Sequence, residues 1–196
     1  MRYIRPVSSA TAPTPDDWST RHSVLMTAQR TADLINALAD DDAAPADVAA
    51  VLRAYGETDV DLSPREVTGM RASAALLREV FAADGTDTAA ATLNRLLHAH
   101  TGRLRLSSHD GTTPWHPHLD RADDAPWAEW FLASSCLALT VLLWDRRRPP
   151  GGTCASPSCG GVYVTQGSGP PRRYCSRRCA TRERVAAHRR AKRESL

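Results

Sequence analysis

Apolar residues recur at helical spacing in several stretches of the first hundred positions. Val24, Leu25, Ala28, Ala32, Ile35 and Leu38 define one face over about 21–39, which Asp40-Asp41-Asp42 terminates. Pro45 opens a shorter helix with Val48, Val51, Leu52 and Tyr55 inward and Gly56 at its end. Ser63-Pro64-Arg65-Glu66 reads as a third start. Ser63 caps, Pro64 takes the first helical position and Glu66 reaches back as in a capping box. That helix runs to about Ala83 and buries Val67, Met70, Ala74, Leu77 and Phe81. A fourth helix is expected over 88–99, stopping before Gly102.

The period then changes. Arg103-Leu-Arg-Leu-Ser107 alternates, Asp110-Gly111 marks a turn, and 115–119 can return as the second strand of a hairpin. From Trp127 to about Trp144 the chain is apolar nearly all round, which predicts a central buried helix. Arg146-Arg-Arg-Pro-Pro-Gly-Gly152 reads as a join, and residues 1–17, rich in Pro, Thr, Ser and Ala, as a loose leader. The expected fold is mainly α. It has a leader (1–17), a helical domain with a small β-hairpin (18–145), a linker (146–153) and a small C-terminal unit (154–196).

The overall charge of +3 conceals a division. Residues 1–145 carry 12 basic and 20 acidic side chains, net −8, whereas 146–196 carry 13 basic and 2 acidic, net +11. A tail of that sign is suited to a polyanion or to the acidic body of its own chain. Arg2 and Arg5 are followed by no apolar signal-peptide core, and the apolar run of 131–144 falls short of the ~20 residues that span a bilayer. No membrane partner and a cytoplasmic location are expected.

The tail also holds the candidate chemistry. Cys154 and Cys159 form one close pair and Cys175 and Cys179 another, with fifteen residues between them. Such pairs can close four thiolates around one structural Zn²⁺. Pro157 and Gly160-Gly161 suit a tight knuckle after the first pair. Val162-Tyr163-Val164 reads as a short strand, Gly167–Pro171 as the turn leaving it, and Cys175 and Cys179 as one face of a helix running to about Arg193. Knuckle, hairpin and helix make a treble-clef-like finger. So small a segment needs the metal to fold, and structural zinc contributes on the order of 10–16 kcal/mol in small fingers. The helical body is expected to melt independently of it.

The stretch from Cys154 through Arg190 resembles the CGNR zinc-finger proteins, which carry an N-terminal ABATE domain. The likeness rests on Cys-x₄-Cys, on Tyr174-Cys175, and on Cys179 followed by Arg182 and the run His188-Arg189-Arg190. The Cys-Gly-Asn-Arg signature stands here as Cys179-Ala180-Thr181-Arg182. The helical layout and Trp-rich segment of the first 145 residues resemble the family more loosely. The resemblance implies a regulator of transcription.

The residues themselves point to nucleic acid. Arg178, Arg182, Arg189 and Arg193 form a stripe that Arg177 and Arg184 flank; Arg172 and Arg173 precede it, and Arg190 and Lys192 thicken its end. Guanidinium groups donate paired, charge-assisted hydrogen bonds to phosphate, and a basic helix can enter a major groove. The bland alternative is a solvated helix face. Double-stranded DNA is therefore the expected partner. The alternative is a protein-, RNA- or ribosome-interaction module that uses the same tail. For the body, a small-molecule pocket lined by Trp127, Trp130 and the hairpin is weighed against a ligand-free scaffold that forms a homodimer.

Other residues carry less. His116-Pro-His118, with His109 nearby, is weighed as a second metal site, but it lacks a clear third ligand and reads as exposed or packing histidines. Cys136 in the apolar helix reads as a small buried hydrophobe. The chain has no Gly-x-Ser-x-Gly, no phosphate-binding glycine loop and no His-Glu-x-x-His, so no enzyme activity is expected.

Overall fold

The computed structural model describes residues 20–165 and 172–194. The leader and the turn at Gly167–Pro171 lie outside the described residues. The elements run α1 (Thr20–Ala37), α2 (Pro45–Ala54), α3 (Pro64–Phe81), α4 (Thr86–His100), β1 (Arg105–Ser107), β2 (His116–His118), α5 (Trp127–Arg146), β3 (Gly151–Thr153), β4 (Val162–Val164) and α6 (Arg177–Glu194).

The local signals act as the sequence suggests. Ser63 accepts from the Glu66 amide while Glu66 reaches back to the Ser63 amide, so the capping box starts α3. Helix α2 ends at Tyr55, and Gly56 follows with φ of +89°. Helix α5 is the centre of the body: α1, α3 and α4 all pack on it, and Phe131, Cys136 and Leu139 are fully buried. By length and composition alone, α5 could cross a membrane. Half of its most apolar stretch is buried against its neighbours, as befits the core helix of a bundle.

Polar contacts fix the helices around α5. Buried Thr31 and Ser135 hydroxyls bond at 2.8 Å, and Ser73 donates to the Ala128 carbonyl at 2.9 Å. Arg30 pairs with Glu57 at 3.0 Å, donates to Ser134, and lies 4.1 Å from the Trp130 ring centroid. Trp127 is buried and meets Trp130 edge-on. The two tryptophans thus pack with the core and Arg30. A cleft of about 440 Å³ lies instead between Leu38, Arg71, Arg78 and Gly160.

The segment 146–153 differs from the linker expected of it. Gly151–Thr153 forms β3 and pairs antiparallel with β4, Gly151 opposite Val164 and Thr153 opposite Val162. A Cβ at Gly151 would lie 2.1 Å from the Tyr163 carbonyl oxygen and 2.6 Å from the Phe81 ring. Glycine is there to permit this close packing. Val162 and Val164 belong to the same buried cluster as Leu34, Leu77 and Phe81. Asn36 of α1 donates to the Val162 carbonyl at 3.0 Å and accepts from the Val162 amide at 2.7 Å. The finger hairpin is therefore built into the body.

Replacing Asn36 with Ala leaves both main-chain groups of Val162 without these partners. Asn36→Ala should lower unfolding free energy by about 2–3 kcal/mol, as measured by urea denaturation of the zinc-loaded protein. A change within 0.5 kcal/mol of zero, the scatter of surface substitutions, would remove this clamp from the account.

Candidate metal centre and basic helix

Four cysteines arrive from three local structures. Cys154 leaves β3, and its amide donates to the Gly161 carbonyl at 2.7 Å. The chain turns through Cys159, whose amide donates to Ser156, and Gly160 has φ of +60°, as the knuckle requires. The second pair departs from its expected placement. Cys175 precedes α6 rather than lying in its first turn. Ser176 caps the helix, its side chain accepting from the Cys179 amide at 3.2 Å, because its hydroxyl satisfies an otherwise unpaired amide there. Cys179 alone of the four is helical.

One ligand sulfur from each cysteine lies within 4.8 Å of all the others. The Cys159–Cys175 and Cys175–Cys179 separations are 3.4 and 3.8 Å. A tetrahedron with metal–sulfur bonds of ~2.3 Å has edges of about 3.8 Å, whereas a disulfide needs ~2.05 Å. The donor set fits one structural zinc with no open position. In the absence of metal, burial and the Cys159 thiol push Cys175 up to about 12, while the Ser176 hydroxyl and neighbouring thiols bring Cys179 down to about 7. Zinc uptake near neutral pH must therefore expel protons, and affinity should fall as pH falls.

A polar shell joins the knuckle to the helix. Ser156 is buried and donates to Glu183 at 2.6 Å; Arg182 donates to Ser156 at 2.7 Å and lies 3.6 Å from the Cys179 sulfur. Sequence spacing gave no signal for Ser156 or Glu183. Arg182, expected on nucleic acid, is engaged in this shell. Ala180 and Thr181 occupy regular helical positions, and Thr181 accepts weakly from Arg184.

The remaining basic residues divide into two groups. Arg172 bonds the Tyr174 and Cys175 carbonyls and lies over Tyr163, while Arg173 lies over Tyr174. Arg177, Arg178, Arg184, Arg189, Arg190, Lys192 and Arg193 are exposed along α6. Among the described residues, no other helix or strand packs extensively against that helix. Cys136 is fully buried, with its thiol pushed up to about 12 by burial, as befits a core residue.

The histidine reading needs correction. A turn with positive φ at His109, Asp110 and Gly111 brings His109 back onto the hairpin, where it joins His116 and His118. Three nitrogen ligands thus converge where sequence spacing offers two. The signal was the Asp-Gly turn, but its left-handed geometry at His109 is not written in residue type.

Chelation should lower the melting temperature of the whole chain by about 5–10 °C, the equivalent of roughly 3 kcal/mol of linked binding energy. Calorimetry would show this as one shifted transition; an unshifted body transition would mean that β4 adds nothing to the core. Arg182→Ala should weaken zinc binding roughly tenfold, as loss of a supporting group does. Competition with a chromogenic chelator measures it, and unchanged affinity would leave Arg182 available for another partner.

The geometry has a counterpart among known families. Residues 152–192 match the family model described as CGNR zinc finger. No curated protein matches the chain. The matched segment spans all four cysteines, β4 and most of α6, and within it lies a zinc-finger domain whose four cysteines are positioned to bind a metal.

Proposed function

We propose that the protein is a zinc-dependent, DNA-binding regulator of transcription in which the finger presents α6 to duplex DNA. The observation that carries this reading is the exposed guanidinium surface of α6, anchored at one end through Cys179. The helix has 18 residues, a length of about 27 Å at ~1.5 Å per residue. A major groove ~12 Å wide admits such a helix. Of its two acidic residues, Glu183 is already engaged by Ser156 and Arg182. The charge of the helix is therefore almost wholly basic, and among the described residues no other helix or strand packs extensively on it.

The zinc centre would fix the direction in which the helix leaves the body, and the β3–β4 hairpin would make that direction rigid. Arg189, Arg190 and Arg193 suit phosphate contacts; Arg177, Arg178 and Arg184 lie nearer the anchored end. The helical body would serve as the regulatory or dimer-forming scaffold.

Binding of the zinc-loaded full chain to duplex DNA across a salt series tests the reading. Affinity should fall linearly on a logarithmic plot, each neutralised phosphate contributing about −0.9 to the slope. Arg189→Ala and Arg193→Ala should each flatten it by about 1 without loss of zinc. Absence of duplex binding at low salt would overturn the proposal and turn attention to RNA or an acidic protein surface.

A further inference from the structure

We propose that His109, His116 and His118 form a second metal site, for a divalent transition cation of the zinc class, with a fourth position open to water or an anionic ligand. The ligand nitrogens of the three side chains lie within 4.8 Å of one another, and the Nε2 atoms of His116 and His118 are 3.0 Å apart. Metal–nitrogen bonds of ~2.0–2.1 Å imply edges of about 2.9 Å in an octahedral site and 3.4 Å in a tetrahedral one. The observed pair falls between them.

The orientation of each ring has a cause. His118 Nδ1 faces both carboxylate oxygens of Asp120 at 3.2 Å, and His116 Nδ1 faces the Pro114 carbonyl at 2.8 Å. Those oxygens can only accept, so each Nδ1 carries the proton and each Nε2 presents its lone pair. His109 Nδ1 lies 3.5 Å from Asp123, and one nitrogen of its ring completes the trio. With those tautomers the two Nε2 lone pairs converge between the rings, where one metal ion would be held by both. A carboxylate or carbonyl behind each imidazole is the arrangement that orients metal-binding histidines.

The supporting layer is itself held. Arg105 spans both carboxylates at 2.5 Å, one nitrogen on Asp120 and the other on Asp123. Ser107 donates to Asp123 at 2.8 Å and accepts from the His109 amide at 3.1 Å, which secures the left-handed turn carrying His109. Two carboxylates against one guanidinium leave a net negative charge, which favours a cation. His118 is buried, whereas His109 and His116 are half-buried, so solvent reaches the cluster from one side. Imidazole suits Zn²⁺ and its neighbours in the transition series.

The test is metal content of the full chain after equilibrium dialysis against zinc, with cobalt as a spectroscopic replacement. Two equivalents per chain are expected, one thiolate-bound and one nitrogen-bound. His116→Ala and His118→Ala should each retain one equivalent, with the thiolate-to-cobalt band and the far-ultraviolet dichroism unchanged. One equivalent in the unsubstituted protein would overturn the site. Two equivalents retained by both folded variants would also overturn it, by placing the second ion elsewhere. Cadmium NMR of the unsubstituted chain decides the matter even if a variant fails to fold. Separate resonances from sulfur and nitrogen environments support the site, and a sulfur resonance alone overturns it.

Discussion

Asn36 holds the two halves of the protein together. Its side-chain amide satisfies both main-chain groups of Val162, at 3.0 and 2.7 Å, as a neighbouring strand would. The adjacent Gly161 lies between that amide and the sulfurs: a Cβ there would be 3.1 Å from Asn36 Oδ1 and 3.2 Å from the Cys175 sulfur. Metal, strand and helix bundle thus meet within one residue. Val162 and Val164 then drive β4 into the body, where each is almost wholly buried. A finger attached through a loose join would carry its helix in many directions. This one has a direction set by the core.

That arrangement changes how zinc energy is used. In an isolated finger, metal binding is folding energy for the finger alone. Here the hairpin that positions Cys154 and Cys159 also buries Val162 and Val164 against α1 and α3. Binding free energy is therefore shared with the helical core by linkage. The reverse also holds, since the bundle preorganises the first cysteine pair before metal arrives. Electrostatics runs the other way. The body is acidic and the tail basic, yet among the described residues no other helix or strand packs extensively on α6.

Much of this was legible in sequence. Helical periodicity located α1 to α3, because each buries one face and Ser63, Pro64 and Glu66 mark a start by local chemistry, and an apolar run located α5. The four cysteines were legible because ligand spacing is a local constraint. Strand β3 was not. Gly-Gly-Thr has no alternation to read, and its glycines are required by Phe81 and Tyr163, residues distant in sequence. Cys175 at helical spacing from Cys179 suggested a longer α6, but Ser176 competes for the cap and delays the start. Arg182 looked like one more member of a stripe until the fold placed Ser156 beside it. The misses at β3 and Arg182 concern partners far along the chain, whereas the one at Cys175 is a local competition for the cap.

The two clusters show how donor type and burial set different chemistry in one small protein. Four soft thiolates, closed into a tetrahedron and backed by Arg182, Ser156 and Glu183, leave no position for exchange, so their metal is a structural pin. Three imidazoles on a short hairpin leave coordination positions unfilled, and the oxygens behind them orient the rings without entering the site. The first cluster lies where the core needs rigidity. The second lies on a two-stranded hairpin that touches α5 through β2 alone, among the element contacts described, where occupancy can change without unfolding the bundle. In the function we propose, one metal would fix the direction of α6 and the other would supply a site able to respond to its surroundings.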